Sequence, residues 1–333
     1  MSTVLISSGQ ISSGQNSSAA RRRRSTLLGA FGAVVGVLLA GCGSGPAQAS
    51  SAAIVGDVSI PLERVQNQID VVLKKEPAAQ EYQRQRTLDA QVSQPIVTLA
   101  VQHELITAAA KREGITVDEN AVTQVVDSLG GAELASQRTV NDPATFRQRV
   151  RDQLMEIELG RKYADKLEVT FDYFLTKDSQ DAITKAKLVA ADPAKMEQFV
   201  KDSSQSAAGG QAELKAKITS AASPQIAQTM LFGVKPGTVV AFPPSPDNAR
   251  WMVAYVRDRR TDAKPSGDSS VSQLTPDVLL GIGQRVMQPF AEEIQVKVNP
   301  RYGVWDMTLM KVVPAGEAGT AGFQATARTK SAA

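Results

Sequence analysis

Few residues of this chain could do chemistry, because it contains a single cysteine, Cys42, and a single histidine, His103. No disulfide can form within one chain, and no metal site can be built from two or more cysteine or histidine ligands. The sequence contains neither a glycine-rich phosphate-binding loop nor a Gly-X-Ser-X-Gly nucleophile motif. We therefore predict no catalytic residue, no metal and no cofactor, and the reactive group that remains is the thiol of Cys42.

The residues before Cys42 predict that this thiol carries a lipid. An apolar run, Leu27–Leu39, follows four arginines and is too short to span a bilayer, but it suits a signal peptide. It ends in Leu39-Ala40-Gly41-Cys42, which resembles the bacterial lipobox, whose cysteine becomes the acylated N-terminus after cleavage. We expect cleavage between Gly41 and Cys42. The alternative is a transmembrane helix with an incidental cysteine.

The basic charge of the sequence belongs to this leader. The net charge is +3, but Arg21–Arg24 contribute four positive charges and residues 1–41 contain no acidic residue. Without the leader, 33 basic residues stand against 34 acidic ones, a net charge of −1. A near-neutral body gives no reason to expect nucleic acid as a partner. The arginines fit general secretion, which we favour, or the twin-arginine route.

Hydrophobic periodicity predicts an α+β protein with a mainly helical lobe and a small inserted α+β domain. A lone amphipathic helix cannot bury its apolar stripe, so we expect the last helix to return to the first lobe and make it discontinuous. A Thr116–Glu119 capping box and an Asp142 cap predict two helix starts. The predicted parts are a signal peptide (1–41), a flexible tether (42–52), the helical lobe (53–168), the α+β domain (169–262), a linker (263–274), the returning helix and closing segment (275–313) and a disordered tail (314–333).

The helical lobe resembles the N-terminal chaperone domain of the SurA and PrsA foldases. The resemblance rests on three segments: the Val55-Gly56-Asp57 hairpin, Gly114-Ile115-Thr116-Val117 between helices, and the helix of residues 142–166. The segment Asn299–Asp306 is similar to the closing segment of actinobacterial lipoproteins of this type. The resemblance implies an extracytoplasmic foldase that binds unfolded or newly exported polypeptides.

The inserted domain resembles a parvulin domain, the prolyl isomerase module of those foldases, on the phrase of residues 230–237, MLFGVKPG. Parvulins set an apolar proline pocket beside a polar network that contains two histidines. Here those histidine positions fall on about Tyr173 and Met252, and the domain contains neither histidine nor cysteine. Phe232 matches the aromatic residue of the pocket, and Trp251 adjoins Met252. We therefore expect these four residues to form a peptide or proline pocket without catalytic residues.

Together these observations predict a chaperone that is lipid-anchored to the cell membrane on its extracytoplasmic side. It would hold unfolded polypeptides in the cleft between its two lobes, without efficient catalysis. Two alternatives stay open: an active peptidyl-prolyl cis-trans isomerase, and a structural envelope lipoprotein that binds one fixed partner. His103, beside Leu99 and Ile106 on a predicted helix, is expected to be partly buried and to have no partner.

Overall fold

The computed structural model describes residues 50–75, 87–137, 139–205, 211–245, 250–264 and 271–328, all within one compact unit. Gly41 and Cys42, and with them the predicted lipidation and cleavage sites, lie outside the described residues. Within the described part of the chain, no helix is both long and apolar enough to cross a bilayer.

The described elements alternate helices with short strands, which confirms the α+β class. The N-terminal elements are β1 (Ser51–Val55), β2 (Val58–Pro61), α1 (Leu62–Lys75), a π-helical turn (Asp89–Ser93), α2 (Gln94–Glu113), α3 (Glu119–Ser128), α4 (Ala132–Ser136) and α5 (Pro143–Tyr163). The middle elements are β3 (Glu168–Thr176), α6 (Ser179–Ala191), α7 (Lys195–Ser204), β4 (Ala212–Thr219), α8 (Pro224–Ala227), β5 (Thr238–Phe242) and β6 (Trp251–Arg260). The C-terminal elements are α9 (Pro276–Ile294), β7 (Val296–Val298), β8 (Val304–Asp306), β9 (Lys311–Val313) and β10 (Phe323–Thr326).

The helical lobe is discontinuous, as the unpaired last helix predicted. Strand β7 pairs antiparallel with β1, with Val298 opposite Ala53, and α9 packs against α5. The two helices touch through glycines, because a Cβ at Gly160 would lie 1.9 Å from the carbonyl oxygen of Leu279. A Cβ at Gly283 would likewise lie 2.2 Å from the carbonyl oxygen of Glu156. Backbone therefore meets backbone at this crossing, and no larger residue fits.

The inserted lobe is an antiparallel sheet of five strands in the order β10-β5-β6-β3-β4. Alternate side chains of each strand point to opposite faces of the sheet. One face, with Phe174 and Val253, packs against α6 and α7. The other, with Phe171 and Val256, packs against α9 and the end of α5. The sheet therefore has helices on both faces, and one of those helices belongs to the other lobe.

The prediction of a disordered tail is wrong for the described residues 314–328. Strand β10 adds to the sheet beside β5, with Phe323 opposite Ala241. The loop before it is held by Asp306, whose Oδ2 accepts a hydrogen bond of 2.8 Å from the amide of Gly319. The tail has the composition of a disordered segment, but an edge strand is stabilised mainly by backbone pairing, which composition does not report. The predicted linker also contains a short helical turn, Val271–Gln273.

One predicted helix start is confirmed and the other is wrong. Asp142 caps α5 in a reciprocal box, because its Oδ1 accepts from the amide of Thr145 at 2.7 Å and Thr145 Oγ1 accepts from the amide of Asp142 at 2.8 Å. The Thr116–Glu119 box does not form, and Asp118 caps α3 instead. The reason lies in α5: Arg151 draws the Glu119 carboxylate away, with Nε 2.5 Å from Oε1.

An ion pair with one buried partner holds the edge of the sheet. Asp172 is fully buried, whereas the Arg257 side chain is 41% exposed, and the carboxylate accepts from Arg257 Nε at 2.7 Å and Nη2 at 2.5 Å. Its Oδ1 also accepts from the amide of Lys215 at 2.7 Å, where the β4 backbone takes a positive φ of 56°. The carboxylate therefore joins three strands and supports the irregular residue in the edge strand.

We expect Asp172→Asn to lower the free energy of unfolding by about 1–3 kcal/mol, because it removes the charge from a buried acceptor that binds the Arg257 guanidinium and a backbone amide. Urea unfolding measures this. The matched control is Asp262→Asn, which removes an exposed pair with Arg260 at 3.3 Å and should cost no more than about 1 kcal/mol. Equal losses for the two variants would contradict this role of Asp172.

Candidate functional site

The residues of the predicted proline pocket do not line one pocket. Tyr173 and Met252 lie on the sheet face that meets α9, and Phe232 packs into the same core. Trp251 lies on the opposite face, toward α6 and α7, because neighbouring residues of a strand point in opposite directions. The expectation that all four side chains converge is therefore wrong for Trp251.

The face that carries Tyr173 and Met252 contributes to a packed core. Leu279 and Ile282 of α9 belong to this core, and Phe232 is 0% exposed, whereas Tyr173 and Met252 are only partly buried. Burial raises the pKa of the Tyr173 hydroxyl, with a smaller contribution from Glu213. The cleft expected between the lobes is filled with side chains in this core.

A cavity of about 640 Å³ lies where α9 meets β5 and β10. Side-chain hydrogen bonds cross this joint, because the Gln288 amide donates to Gln324 Oε1 at 3.0 Å and Gln324 donates to Glu292. Arg285 adds a bond from Nε to the carbonyl of Gln228 at 2.8 Å. These hydrogen bonds connect the two lobes, so this cavity belongs to the interface between the lobes. We do not propose it as the binding site.

An open groove of about 540 Å³ lies in the helical lobe between α1, α2 and α5, and we call it the α1 groove. Its floor is apolar, and Val71 on its wall is 36% exposed. Its rim carries charged and polar groups from α1, from α5 and from the loop before α5. The residues that form the floor and rim include Val65, Val71, Ile96, Leu99 and Ala100 with Glu63, Arg64, Asn141, Asp142 and Thr145.

Helix α1 closes one side of the groove and is tied across it by hydrogen bonds. The Gln68 amide donates to the carbonyl of Val140 at 2.9 Å. At the end of α1, Lys75 Nζ donates to the carbonyls of Ser136, at 2.6 Å, and Asn141. The groove is therefore a preformed feature of the fold, with α1 fixed at a set distance from the loop that leads into α5.

Helix α5 contributes a polar wall to this site, which we call the α5 polar stripe: Arg149, Asp152 and Glu156. Their spacing of three and four residues places them on one side of the helix. Asp152 is 2% exposed and Glu156 1% exposed, and Arg149 and Asp152 line the groove. His103 of α2 reaches the stripe, with Nδ1 2.9 Å from Asp152 Oδ1. His103 is partly buried, as expected, but the expectation that it has no partner is wrong.

Glu156 is the residue of the stripe that is most perturbed by its surroundings. The pKa of its carboxyl is raised to about 7, chiefly by burial and also by Asp152, while Arg149 and a hydrogen bond with the Gln284 side chain act to lower it. Glu156 Oε2 and Arg149 Nη1 are buried and have no hydrogen-bond partner among the described residues. A buried carboxyl with these properties can change its charge near neutral pH.

Hydrophobic periodicity does not predict the stripe, because it marks only the apolar residues of α5 as the buried face. Phe146 and Val150 are buried, but Leu154 and Ile157 are only partly so, and the helix buries two carboxylates as well. The spacing of the three charged residues, at three and four positions, does predict that they share one side of the helix. Among the residues that the structure describes, no group of three or more histidine, cysteine or acidic side chains could hold a metal ion.

No family model and no curated protein matches this chain. Solved structures do show similarity. The foldase protein PrsA from Lactococcus lactis is 17% identical over 75% of this chain and 95% of its own, with a TM-score of 0.27. The peptidylprolyl isomerase PrsA from Bacillus anthracis is 16% identical over 61% of this chain and 99% of its own, with a TM-score of 0.23.

A structure from a study of PEB4 and Cj1289, two SurA-like chaperones of Campylobacter jejuni, is 11% identical over 75% of this chain and 99% of its own, with a TM-score of 0.20. The names of these structures, PrsA and SurA-like, are those of the foldases that the sequence segments resemble.

Proposed function

We propose that this protein is a chaperone that binds extended segments of unfolded, exported polypeptides in the α1 groove. The observation that supports the proposal is an apolar floor, with Leu99 and Ala100, that stays open to solvent in an otherwise well-packed lobe. Exposed apolar concavities with polar rims are characteristic of binding sites. An unfolded chain supplies apolar side chains for the floor and backbone groups for the rim.

We further propose that a lipid on Cys42 anchors the protein on the extracytoplasmic side of the membrane. The carbonyl of Ser50 accepts a hydrogen bond of 2.8 Å from the amide of Leu62, the first residue of α1. The groove therefore lies close to the point where the folded body begins. Residues 43–49 can extend over at most roughly 25 Å, so an anchored protein would keep its groove near the bilayer, at high local concentration where exported chains emerge.

The binding role is tested by suppression of aggregation. We expect the full-length protein, at stoichiometric amounts, to suppress the aggregation of a chemically denatured client, and Val71→Asp to lose most of that effect because it places a charge on the apolar wall. Leu188→Asp is the matched control, since Leu188 on α6 is 40% exposed and Val71 36%. Light scattering measures aggregation. No suppression by the wild type, or equal suppression by both variants, would overturn the proposal.

The anchor is tested by Cys42→Ser. We expect the wild type to sediment with membranes and to incorporate labelled palmitate, and the variant to do neither, because the net charge of −1 left after removal of the leader gives no electrostatic hold on an anionic bilayer. A variant that still sediments with membranes would instead support the transmembrane-helix alternative. Aggregation suppression by Cys42→Ser should be unchanged.

We do not favour the prolyl isomerase alternative, because residues 169–262 contain neither histidine nor cysteine and Phe232, the expected pocket aromatic, is 0% exposed. The alternative of a structural lipoprotein with one fixed partner is distinguished by pull-down from envelope extracts. A chaperone should recover many unrelated chains in substoichiometric amounts, and a scaffold should recover one partner in fixed proportion.

A further inference from the structure

We propose that the α1 groove selects its clients by charge through Arg149, and that the protonation of Glu156 sets this selection. Client segments that carry a carboxylate beside apolar side chains should bind more tightly at mildly acidic pH than at alkaline pH. This inference deepens the proposed function and rests on it, because it assumes that the groove binds polypeptide.

Arg149 is the group that would meet the client. It lines the groove, and its side chain is only partly buried there. Its Nη1 is buried and has no hydrogen-bond partner among the described residues, so the fold leaves the guanidinium unsaturated. A guanidinium presents five donors in a planar fork that matches a carboxylate, so a client carboxylate in the groove would bind the part of the fork that solvent reaches.

Glu156 lies on the same side of α5, two helical turns from Arg149, or roughly 10 Å along the axis. Asp152 stands between them. The Glu156 carboxyl is the buried end of the stripe, whereas Arg149 is the end that reaches the groove. A proton gained or lost at Glu156 therefore changes the charge behind Arg149 without changing the apolar floor.

The groups that face this stripe determine the sign of the effect. Arg149 and Asp152 act on Glu156 from α5, and the amide of Gln284 acts from α9. His103 of α2 faces Asp152. The charged groups elsewhere on the groove rim are Glu63 and Arg64 of α1 and Asp142 before α5.

With Glu156 ionised, the three stripe residues sum to a net charge of −1. Protonation of Glu156 brings the sum to zero. The wall therefore becomes more favourable to a client carboxylate as the pH falls. One charge at about 10 Å in a partly buried site corresponds to a change of about 3- to 10-fold in affinity.

The test uses three labelled peptides that are identical except for one position, Asp, Asn or Lys, between two leucines. Their binding to the full-length protein is measured by fluorescence anisotropy near pH 5.5 and near pH 8, on either side of about 7 for Glu156. We expect the Asp peptide to gain about 3- to 10-fold in affinity at the lower pH relative to the Asn peptide, and the Lys peptide to lose affinity.

Three variants assign the effect to the stripe. Glu156→Gln imitates the protonated carboxyl, so it should bind the Asp peptide at high pH as tightly as the wild type does at low pH. Arg149→Gln should remove the preference of Asp over Asn, and Arg149→Lys should keep part of it. The matched controls are Glu158→Gln and Arg161→Gln, an exposed pair on the same helix with a separation of 3.3 Å, and both should behave as wild type.

The outcomes separate the inference from the function on which it rests. If the Asn peptide fails to bind at either pH, the groove does not bind polypeptide and the proposed function fails. If the Asn peptide binds, but the Asp preference does not change with pH, or changes equally in Glu156→Gln and Glu158→Gln, the function stands and this inference is overturned.

Discussion

Gly283→Ala is expected to lower the free energy of unfolding by at least about 3 kcal/mol, because the added methyl group would lie 2.2 Å from the carbonyl oxygen of Glu156. Alanine is normally the better helix former by about 1 kcal/mol, so the expected sign is the reverse of that at an exposed helical glycine. The contact is with backbone, which cannot rotate away, so α5 and α9 must move apart. Thermal unfolding should show a loss of roughly 6–12 °C.

Gly316→Ala is the control for this prediction, because nothing lies within 4 Å of a Cβ at that position. It should change stability by less than about 0.5 kcal/mol. Gly160→Ala should resemble Gly283→Ala, and the double variant should cost less than the sum of the two, since helices that have already separated accept the second methyl group. Wild-type stability for Gly283→Ala would show that the α5–α9 contact is looser than the structure has it.

Glu156→Gln is expected to stabilise the protein at alkaline pH and to leave it unchanged at acidic pH. The pKa of the Glu156 carboxyl is raised to about 7 in the folded protein from its ordinary value of 4.5. The contribution of the protonated carboxyl to stability is complete below pH 4.5 and is lost as the pH rises through about 7. The full difference corresponds to about 3 kcal/mol, which glutamine, having no charge to bury, does not lose.

Urea unfolding of both proteins between about pH 5 and pH 8 measures this difference, because linkage requires it to grow with pH in that interval. The control, Glu158→Gln, lies on the exposed side of α5 and should give a difference that does not change with pH. A constant difference between wild type and Glu156→Gln across the range would contradict a carboxyl that titrates near neutrality inside the fold.

Features that depend on local pattern could be predicted from the sequence. The apolar stripe of α9 has no neighbouring helix or strand in the C-terminal sequence to pack against. This predicted that α9 packs against the first helical lobe. The Asp142 cap depends on a residue three positions away, so it too is local. The separation of Trp251 from Met252 could also have been predicted, because neighbouring strand residues point to opposite faces.

Features that depend on several distant segments could not be predicted in the same way. The α1 groove needs α1, α2 and the start of α5 at set distances, and hydrogen bonds such as Gln68 to Val140 fix those distances. Glu119 does not form the predicted capping box, because its carboxylate binds Arg151, which lies 32 residues later in the chain. The strand β10 forms because β5 offers it a free edge, which is a property of the sheet and not of the tail.

Site-specific photo-crosslinking tests the central claim, that the α1 groove binds unfolded polypeptide, most directly. A photoreactive amino acid is placed at Val71 in the groove, at Leu188 on α6 or at Tyr173 on the partly buried sheet face, in the full-length protein. After illumination with a denatured client, we expect a strong cross-link from position 71 and little from positions 188 and 173. A stronger cross-link from position 173, or equal cross-links from 71 and 188, would contradict it.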